Sequence, residues 1–428
     1  MRKVVIVSIF TSSLIVAGGY KIPEQSLNSM ALGGAYVAHT TSADSAYFNP
    51  ANMVFLNLDK NIMEAGLTLV HLNENRFRGK QALSPTNIYD ANGTSEVENK
   101  SIPYFHYISN PIGNFRWGMS LIVPAGLKKR WLVHPNRYTI NTNEFENAYQ
   151  ELFAKEFTLR VTEFNPALSY KIFDNLSIGG GVRLIYSEGE VYNNGNYVNL
   201  SIRREMQGNT IEYGYNLATT YRPLSDINLA MTYRSNVNLN EKADSKDTNL
   251  YIGNIGKQYS ANVNIPLPAS FNFAISKTWL DRFTLEFDYE RTYWSKYKSL
   301  DFNYGSKIPS ALVGPFDNPK IKNWKDTDTF RLGATIKMDN ITYMLAYAKD
   351  ETPIPKEYIS YELPDSDANI YSMGVRIDIN DALSWGVAYL HDEKDTTTLK
   401  AGENKNGIIG KFSKGGADLI TTSFSYKF

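Results

Sequence analysis

Hydrophobic and polar residues alternate with period two along most of the chain. Phe283, Leu285, Phe287 and Tyr289 alternate with Thr284, Glu286, Asp288 and Glu290. Tyr371, Met373, Val375, Ile377 and Ile379 alternate with Ser372, Gly374, Arg376 and Asp378. The same rhythm runs through 330–337, and at 383–390 Leu383, Trp385, Val387 and Tyr389 alternate with small residues. Successive side chains of a strand point to opposite faces, so this pattern predicts strands with one apolar face. About fourteen such segments can be drawn: 62–74, 101–110, 115–126, 157–171, 176–192, 210–222, 226–240, 269–279, 282–301, 327–338, 340–350, 367–379, 382–394 and 417–428. A soluble sandwich alternates too, so the connections decide. Short ones (110–114, 171–175, 223–226, 280–282, 339–340, 380–381) alternate with long ones near 75–100, 127–156, 193–209, 241–268, 302–326, 351–366 and 395–416. Tight turns at one rim and long loops at the other mark a transmembrane antiparallel β-barrel. Lipid enforces closure, because a barrel leaves no backbone group unpaired in the hydrocarbon.

The two ends of the chain fit an exported barrel. Arg2 and Lys3 precede an apolar run from Val4 to Val16, and small residues follow at Ala17, Gly18 and Gly19. That is the layout of a secretory signal peptide, too short for a membrane span, and 1–18 is assigned to it. At the other end Phe424, Tyr426 and Phe428 alternate with Ser423, Ser425 and Lys427. A terminal aromatic on such a strand resembles the signal read by the barrel-assembly machinery. Residues 19–61 do not alternate; they are rich in Ala, Gly and Ser and also carry Met30, Tyr36, Tyr47, Phe48 and Phe55. A barrel of this size has a lumen its own wall cannot fill. The segment is therefore expected as a hatch plugging the lumen of a barrel formed by 62–428. A free periplasmic extension is the alternative, and it would leave the apolar residues in water.

Composition narrows the chemistry. There are 44 basic and 44 acidic residues and no basic block, so nucleic acid is not an expected partner. There is no cysteine, which excludes disulfides and thiolate metal sites. Aromatics are abundant, with 29 Tyr, 21 Phe and 6 Trp, as interfacial girdles require. The mean hydropathy of −0.35 excludes a polytopic helical membrane protein. The five histidines are scattered, and no Gly-x-Ser-x-Gly elbow exists. His106 is the one conceivable base for a Ser–His pair, so no catalytic constellation stands out and no enzyme or cofactor is expected. Glu286, Asp288 and Glu290 share one strand face. They read either as a metal-binding comb or, preferably, as a hydrated lumen wall balanced by Arg331 and Arg376; no metal site is assigned. Gly179, Gly180 and Gly181 lie inside a strand, where they relieve curvature or permit close packing in the lumen.

Several motifs, in order, resemble the FadL/TodX family of outer-membrane transporters. They are Gly19-Tyr20, ALGGAY at 31–36, ADSAYFNPANM at 43–53, RWGMSLIVPAGL at 116–127, YRSNVNLN at 233–240, YERTYWSKYKSLDF at 289–302 and KDETPIP at 349–355. Asn49-Pro50-Ala51 is that family's hatch motif. The resemblance implies a bacterial outer-membrane barrel surrounded by lipid, a monomer, passing hydrophobic small molecules passively, long-chain fatty acids foremost. Hydrocarbon uptake and a general diffusion porin are the alternatives. It also implies a lumen pocket near the mature N-terminus, with Tyr20 against the ligand tail and Lys320 and Asp350 as its charged residues. Asn193 stands where the family has an arginine, with Arg183, Arg203 and Arg204 nearby, and a less basic pocket would favour an uncharged hydrocarbon.

Pro124 cannot donate a ladder hydrogen bond, and Gly126 permits a deviation. FadL-type proteins have a kink at this glycine position that opens the wall sideways; a bulge at the outer strand end is the alternative. In the loop after it, Trp131 precedes Phe145, Tyr149, Leu152 and Phe153, whose helical spacing suggests an amphipathic capture element.

Overall fold

A computed structural model describes residues 18–56, 59–82, 88–132, 156–197 and 200–428. The barrel strands are β1 (Ile62–Leu72), β2 (Glu98–Ile108), β3 (Phe115–Lys129), β4 (Glu156–Phe173), β5 (Leu176–Tyr197), β6 (Leu200–Leu224) and β7 (Ile227–Arg234 continued by Val237–Ala243). They continue as β8 (Ala261–Leu267 with Ser270–Trp279), β9 (Phe283–Thr292), β10 (Thr327–Met338), β11 (Ile341–Asp350), β12 (Ala368–Asp378), β13 (Leu383–Lys394) and β14 (Gly416–Lys427). Each pairs antiparallel with its neighbours, and β1 closes on β14 from Ile62↔Lys427 to Leu72↔Ala417. The result is a closed 14-strand barrel.

Alternation sorts side chains between lipid and lumen. In β1, Met63, Leu67 and Leu69 are exposed while Glu64, Thr68 and Val70 are buried. Polar residues thus line the inside and apolar ones the outside, the reverse of a soluble core. Aromatics cluster near the short turns: Tyr107 against Trp117 at 5.0 Å, Phe115 against Tyr170 at 4.6 Å and Trp279 against Phe283 at 5.5 Å.

The described parts of the long connections hold more strand than the sequence suggests. β5 and β6 have 22 and 25 residues and stay paired up to Tyr197↔Leu200, so most of 193–209 is strand. A membrane crossing needs only about 9–11 residues, so this hairpin stands well clear of the lipid. Within 75–100, 127–156 and 395–416, a separate sheet forms from Arg76–Ala82, Ile88–Ser95, Trp131–Leu132, Thr397–Leu399 and Ile408–Ser413. Polar residues on both faces hide these strands from a hydrophobic-period reading.

Residues 18–56 pack inside the barrel. They carry helix α1 (Leu27–Ala31), capped by the Ser26 side chain accepting from the Ser29 amide at 3.2 Å, then α2 (Ser45–Phe48) and a 3₁₀ turn (Pro50–Phe55). The acidic comb of β9 is where this segment docks. Glu286 accepts from the amides of Val37 and Ala38, each at 2.6 Å, and of His39 at 2.9 Å. Asp288 accepts from the Tyr36 amide at 3.1 Å, and Glu290 pairs with Lys21 and with Arg331 at 2.6 Å. Of the two counter-charges expected for the comb, Arg331 serves it through Glu290, whereas Arg376 goes to Glu64 at 2.9 Å. Backbone donors of the hatch take the place of water.

The Asn49-Pro50-Ala51 turn lies against the wall formed by β4, β5 and β6. The Asn49 side chain donates to the Val37 carbonyl at 2.8 Å and to the Thr220 hydroxyl at 2.9 Å. Ser177 and Ser169 donate to the Ala51 carbonyl at 2.8 and 3.2 Å. A Cβ on Gly179 would fall 2.5 Å from the Ala51 nitrogen, so this glycine admits the hatch backbone to the wall.

Candidate functional site

The wall is incomplete between β2 and β3. Their ladder has only the pairs Phe105↔Leu121, His106↔Ser120, Tyr107↔Met119 and Ile108↔Gly118. On its other side β3 stays paired to β4 as far as Lys129↔Phe157, with a slip between Ile122 and Ala125. The slip brackets Pro124, and Gly126 follows it, paired with Arg160 on the β4 side.

The hatch supplies the missing neighbour. The Ile22 amide donates to the Pro124 carbonyl at 2.9 Å, and the Gly126 amide donates to the Tyr20 carbonyl at 3.0 Å. Lys21 and Ala125 form an antiparallel bridge. The Gln25 side chain donates to the Val123 carbonyl at 2.9 Å and accepts from the Val123 amide at 3.0 Å. Residues 20–25 therefore satisfy a strand edge that lipid could not.

Tyr20 itself turns away from the gap into an aromatic box. It lies 4.9 Å from Trp294 and 5.6 Å from Trp324 between ring centroids, with Tyr297 at 6.3 Å. Gly19 has φ +76°, and a Cβ there would come within 2.8 Å of Trp294. Leu127, Phe157, Leu159, Ile265 and Leu300 complete an apolar lining around a cavity of about 20 Å³.

Charges gather at one end of this box. Glu362 lies 2.7 Å from the Lys322 ammonium and 3.5 Å from that of Lys320. Burial would raise the Glu362 carboxyl, but the two lysines outweigh it and hold the group well below the usual carboxylate range. The Lys320 side chain is 40% exposed and stands outside the cavity lining, which Lys322 and Glu362 reach. Arg204 pairs in register with Asn193 and donates to its side chain at 3.0 Å. Its guanidinium lies 4.0 Å over Phe302 and 5.0 Å from Phe316, and its charge acts on Lys320. Asp350 does not line the cavity. It accepts from the Gly18 amide and the Thr329 hydroxyl, while Asp365 accepts from the Gly19 amide at 3.1 Å.

Comparison with known proteins places this architecture. The model of the family described as outer membrane protein transport protein (OMPP1/FadL/TodX) matches residues 8–428. The chain belongs to this family. A long-chain fatty acid transport protein of Escherichia coli is 22% identical, over 96% of this chain and 95% of that protein. A Pseudomonas aeruginosa FadL homologue superposes with a TM-score of 0.77 at 18% identity, covering 95% of this chain and 99% of the other. The Pseudomonas putida toluene transporter TodX gives 0.70 at 15% identity, covering 94% and 98%.

As a FadL/TodX-family member the protein is an outer-membrane transport channel for hydrophobic compounds, not an enzyme. His106 bonds Ser120 at 2.8 Å and the Gln25 carbonyl at 2.8 Å, and both side chains are fully buried on the lumen side. This pair ties β2, β3 and the hatch together at the foot of the gap and offers no substrate access. Trp131 donates to the Tyr361 carbonyl at 2.8 Å and packs edge-on against that ring. It is built into the outer cluster. Phe145, Tyr149 and Phe153 lie outside the described residues. Sequence reasoning missed Glu362 and Lys322, both set in polar loop stretches with no motif around them.

Proposed function

We propose that this protein takes up long-chain fatty acids by passive diffusion, through the Tyr20 pocket and then sideways through the wall between β2 and β3. One observation carries the reading. The short run 20–25 closes the aromatic box with its Tyr20 ring and closes the wall with its backbone. Displacing that one segment opens both compartments to each other, so a hydrophobic molecule passes from pocket to bilayer without crossing water. The hatch in the lumen speaks against a general diffusion porin.

The charge balance favours a carboxylate over a hydrocarbon. Lys320 and Lys322 share one carboxylate, Glu362, and Arg204, whose charge acts on Lys320, has no ion pair among the described residues. A neutral hydrocarbon would gain nothing from these cations, while a fatty acid places its head on them and its chain along Leu127, Phe157 and Ile265. The relative named for long-chain fatty acid transport agrees with this cargo. Residues 1–18 are proposed to leave as the signal peptide, placing the new α-amino group of Gly19 beside Asp365.

A cross-link tests the route. The chain has no cysteine, so Lys21→Cys with Ala125→Cys creates a single thiol pair at facing positions of an antiparallel bridge, within disulfide reach. Oxidation is expected to stop uptake of radiolabelled oleate and reduction to restore it. Full uptake by the cross-linked protein would exclude this exit.

A further inference from the structure

The aromatic box is shut. Its cavity of about 20 Å³ is far below the roughly 300–1,000 Å³ of ordinary ligand pockets, so something must leave before a ligand fits. The connection between β11 and β12 forms its lid. Ile354, Ile359, Tyr361 and Leu363 are buried in the same apolar cluster as Tyr20, Trp294 and Trp324. Glu362, between two of them, is the lid's only charged contribution to the lining.

The acid and the bases come from different elements. Lys320 and Lys322 belong to the connection between β9 and β10, and Glu362 comes from the lid. A counter-ion needed only to neutralise the lysines could sit on their own connection. A counter-ion on the lid makes closure depend on the lysines being free of any other anion. Three residues further on, Asp365 accepts from the Gly19 amide at 3.1 Å and from Thr352 at 2.7 Å. The stretch 362–365 thus joins the pocket cations to the start of the hatch.

We propose that Glu362 is a resident carboxylate that the ligand's own carboxylate replaces, making it the residue that selects anionic cargo. This rests on the fatty-acid reading above. No bond is made or broken; one carboxylate exchanges for another on Lys320 and Lys322. Neutral ligands bring no anion, so they leave the lid latched. With Glu362 released, the lid lifts, Asp365 is drawn from Gly19, and the segment that fills the wall is loosened. A ligand shifts such an equilibrium only by its differential affinity for the two states, and the headgroup exchange supplies that difference.

The test compares oleate with oleyl alcohol, which share a chain and differ in headgroup. Trp294 and Trp324 report binding by fluorescence, and hydrogen exchange of the 358–365 amides reports the lid. In the native protein oleate is expected to speed exchange there, and oleyl alcohol at equal occupancy is not. Glu362→Gln removes the competitor, so oleate should bind about tenfold tighter while oleyl alcohol is unchanged. Equal lid exchange with both ligands, or oleate affinity unchanged or weakened in a folded Glu362→Gln protein, overturns the role of Glu362 and leaves the pocket standing. The exchange comparison needs no variant, so it decides even if Glu362→Gln does not fold. If neither ligand binds the native protein, the pocket reading falls and this one with it.

Discussion

The Ile22 amide donates to the Pro124 carbonyl at 2.9 Å, the bond a neighbouring barrel strand would otherwise make. A transmembrane wall is thereby completed by a segment that is not part of it. In lipid an unpaired backbone group costs several kcal/mol, so the defect persists only with such a partner. Pro124 creates the vacancy and the hatch fills it.

Regularising the edge should therefore close the route. Pro124→Thr with Gly126→Val restores a donor and β-branched bulk to β3, favouring pairing with β2 over pairing with the hatch. Uptake of radiolabelled oleate is expected to fall about tenfold, the effect of roughly 1.4 kcal/mol on the opening equilibrium. Heat-modifiable electrophoretic mobility should show that the barrel still assembles. Undiminished uptake by the folded variant would mean the cargo leaves elsewhere.

The docking of the hatch rests on Glu286, whose carboxylate takes three consecutive backbone amides. Glu286→Gln turns one acceptor oxygen into a donor facing those amides. Hydrogen bonds to charged groups are worth about 1.5–3 kcal/mol each, so the hatch should loosen by on the order of 3 kcal/mol. The barrel ladders are untouched, and the melting temperature of the wall should hardly change. Liposome swelling with small sugars should quicken markedly relative to the native protein. Equal swelling rates would show that the comb does not govern the plug.

Much of this was legible in the sequence, and the failures have physical causes. Period-two alternation and the regular sequence of short and long connections give the barrel, because lipid allows no other use of such strands. The comb at Glu286, Asp288 and Glu290 was visible as one face, but nothing in β9 says that Val37 and Ala38 would lie on it. Arg204 could be matched to Asn193 only once the register of the β5–β6 hairpin was known. Pro124 and Gly126 could be singled out from residue type alone, but that residues 20–25 would lie along them could not. Glu362 stands in YISYELPDSD, where charges look like any solvated turn.

The pairing of Glu362 with two lysines carries a pH signature. Its carboxyl is held below the usual range in the folded protein, so it contributes stability that is fully present above the unfolded value of about 4.5 and is lost as pH falls through the depressed folded value. The native protein should then exceed Glu362→Gln in thermal stability at pH 7, with the difference shrinking steadily below pH 4.5. Melting curves of both proteins in detergent between pH 7 and pH 3 measure it. A gap independent of pH would show that the ion pair adds nothing beyond packing.

Arg204 offers the sharpest separation of the two cargo classes. Its guanidinium is buried, lies over Phe302 and Phe316, and among the described residues has no ion pair, only the Asn193 side chain, Tyr304 and the Phe316 carbonyl. A buried charge left without a counter-ion is expensive, and the arrangement is retained at that cost. An anionic headgroup would supply the missing partner, and hydrogen bonds to charged groups of this kind are worth about 1.5–3 kcal/mol. Arg204→Met keeps the aromatic packing and removes the charge. Oleate affinity should drop by about ten- to a hundredfold, while toluene and oleyl alcohol bind as before. The variant should also be no less stable than the native protein, because the uncompensated charge has gone. If oleate and toluene lose affinity together, Arg204 shapes the cavity and does not read the headgroup. If neither changes, the carboxylate rests on the lysines alone, and the register partner of Asn193 is only a brace for the outer hairpin.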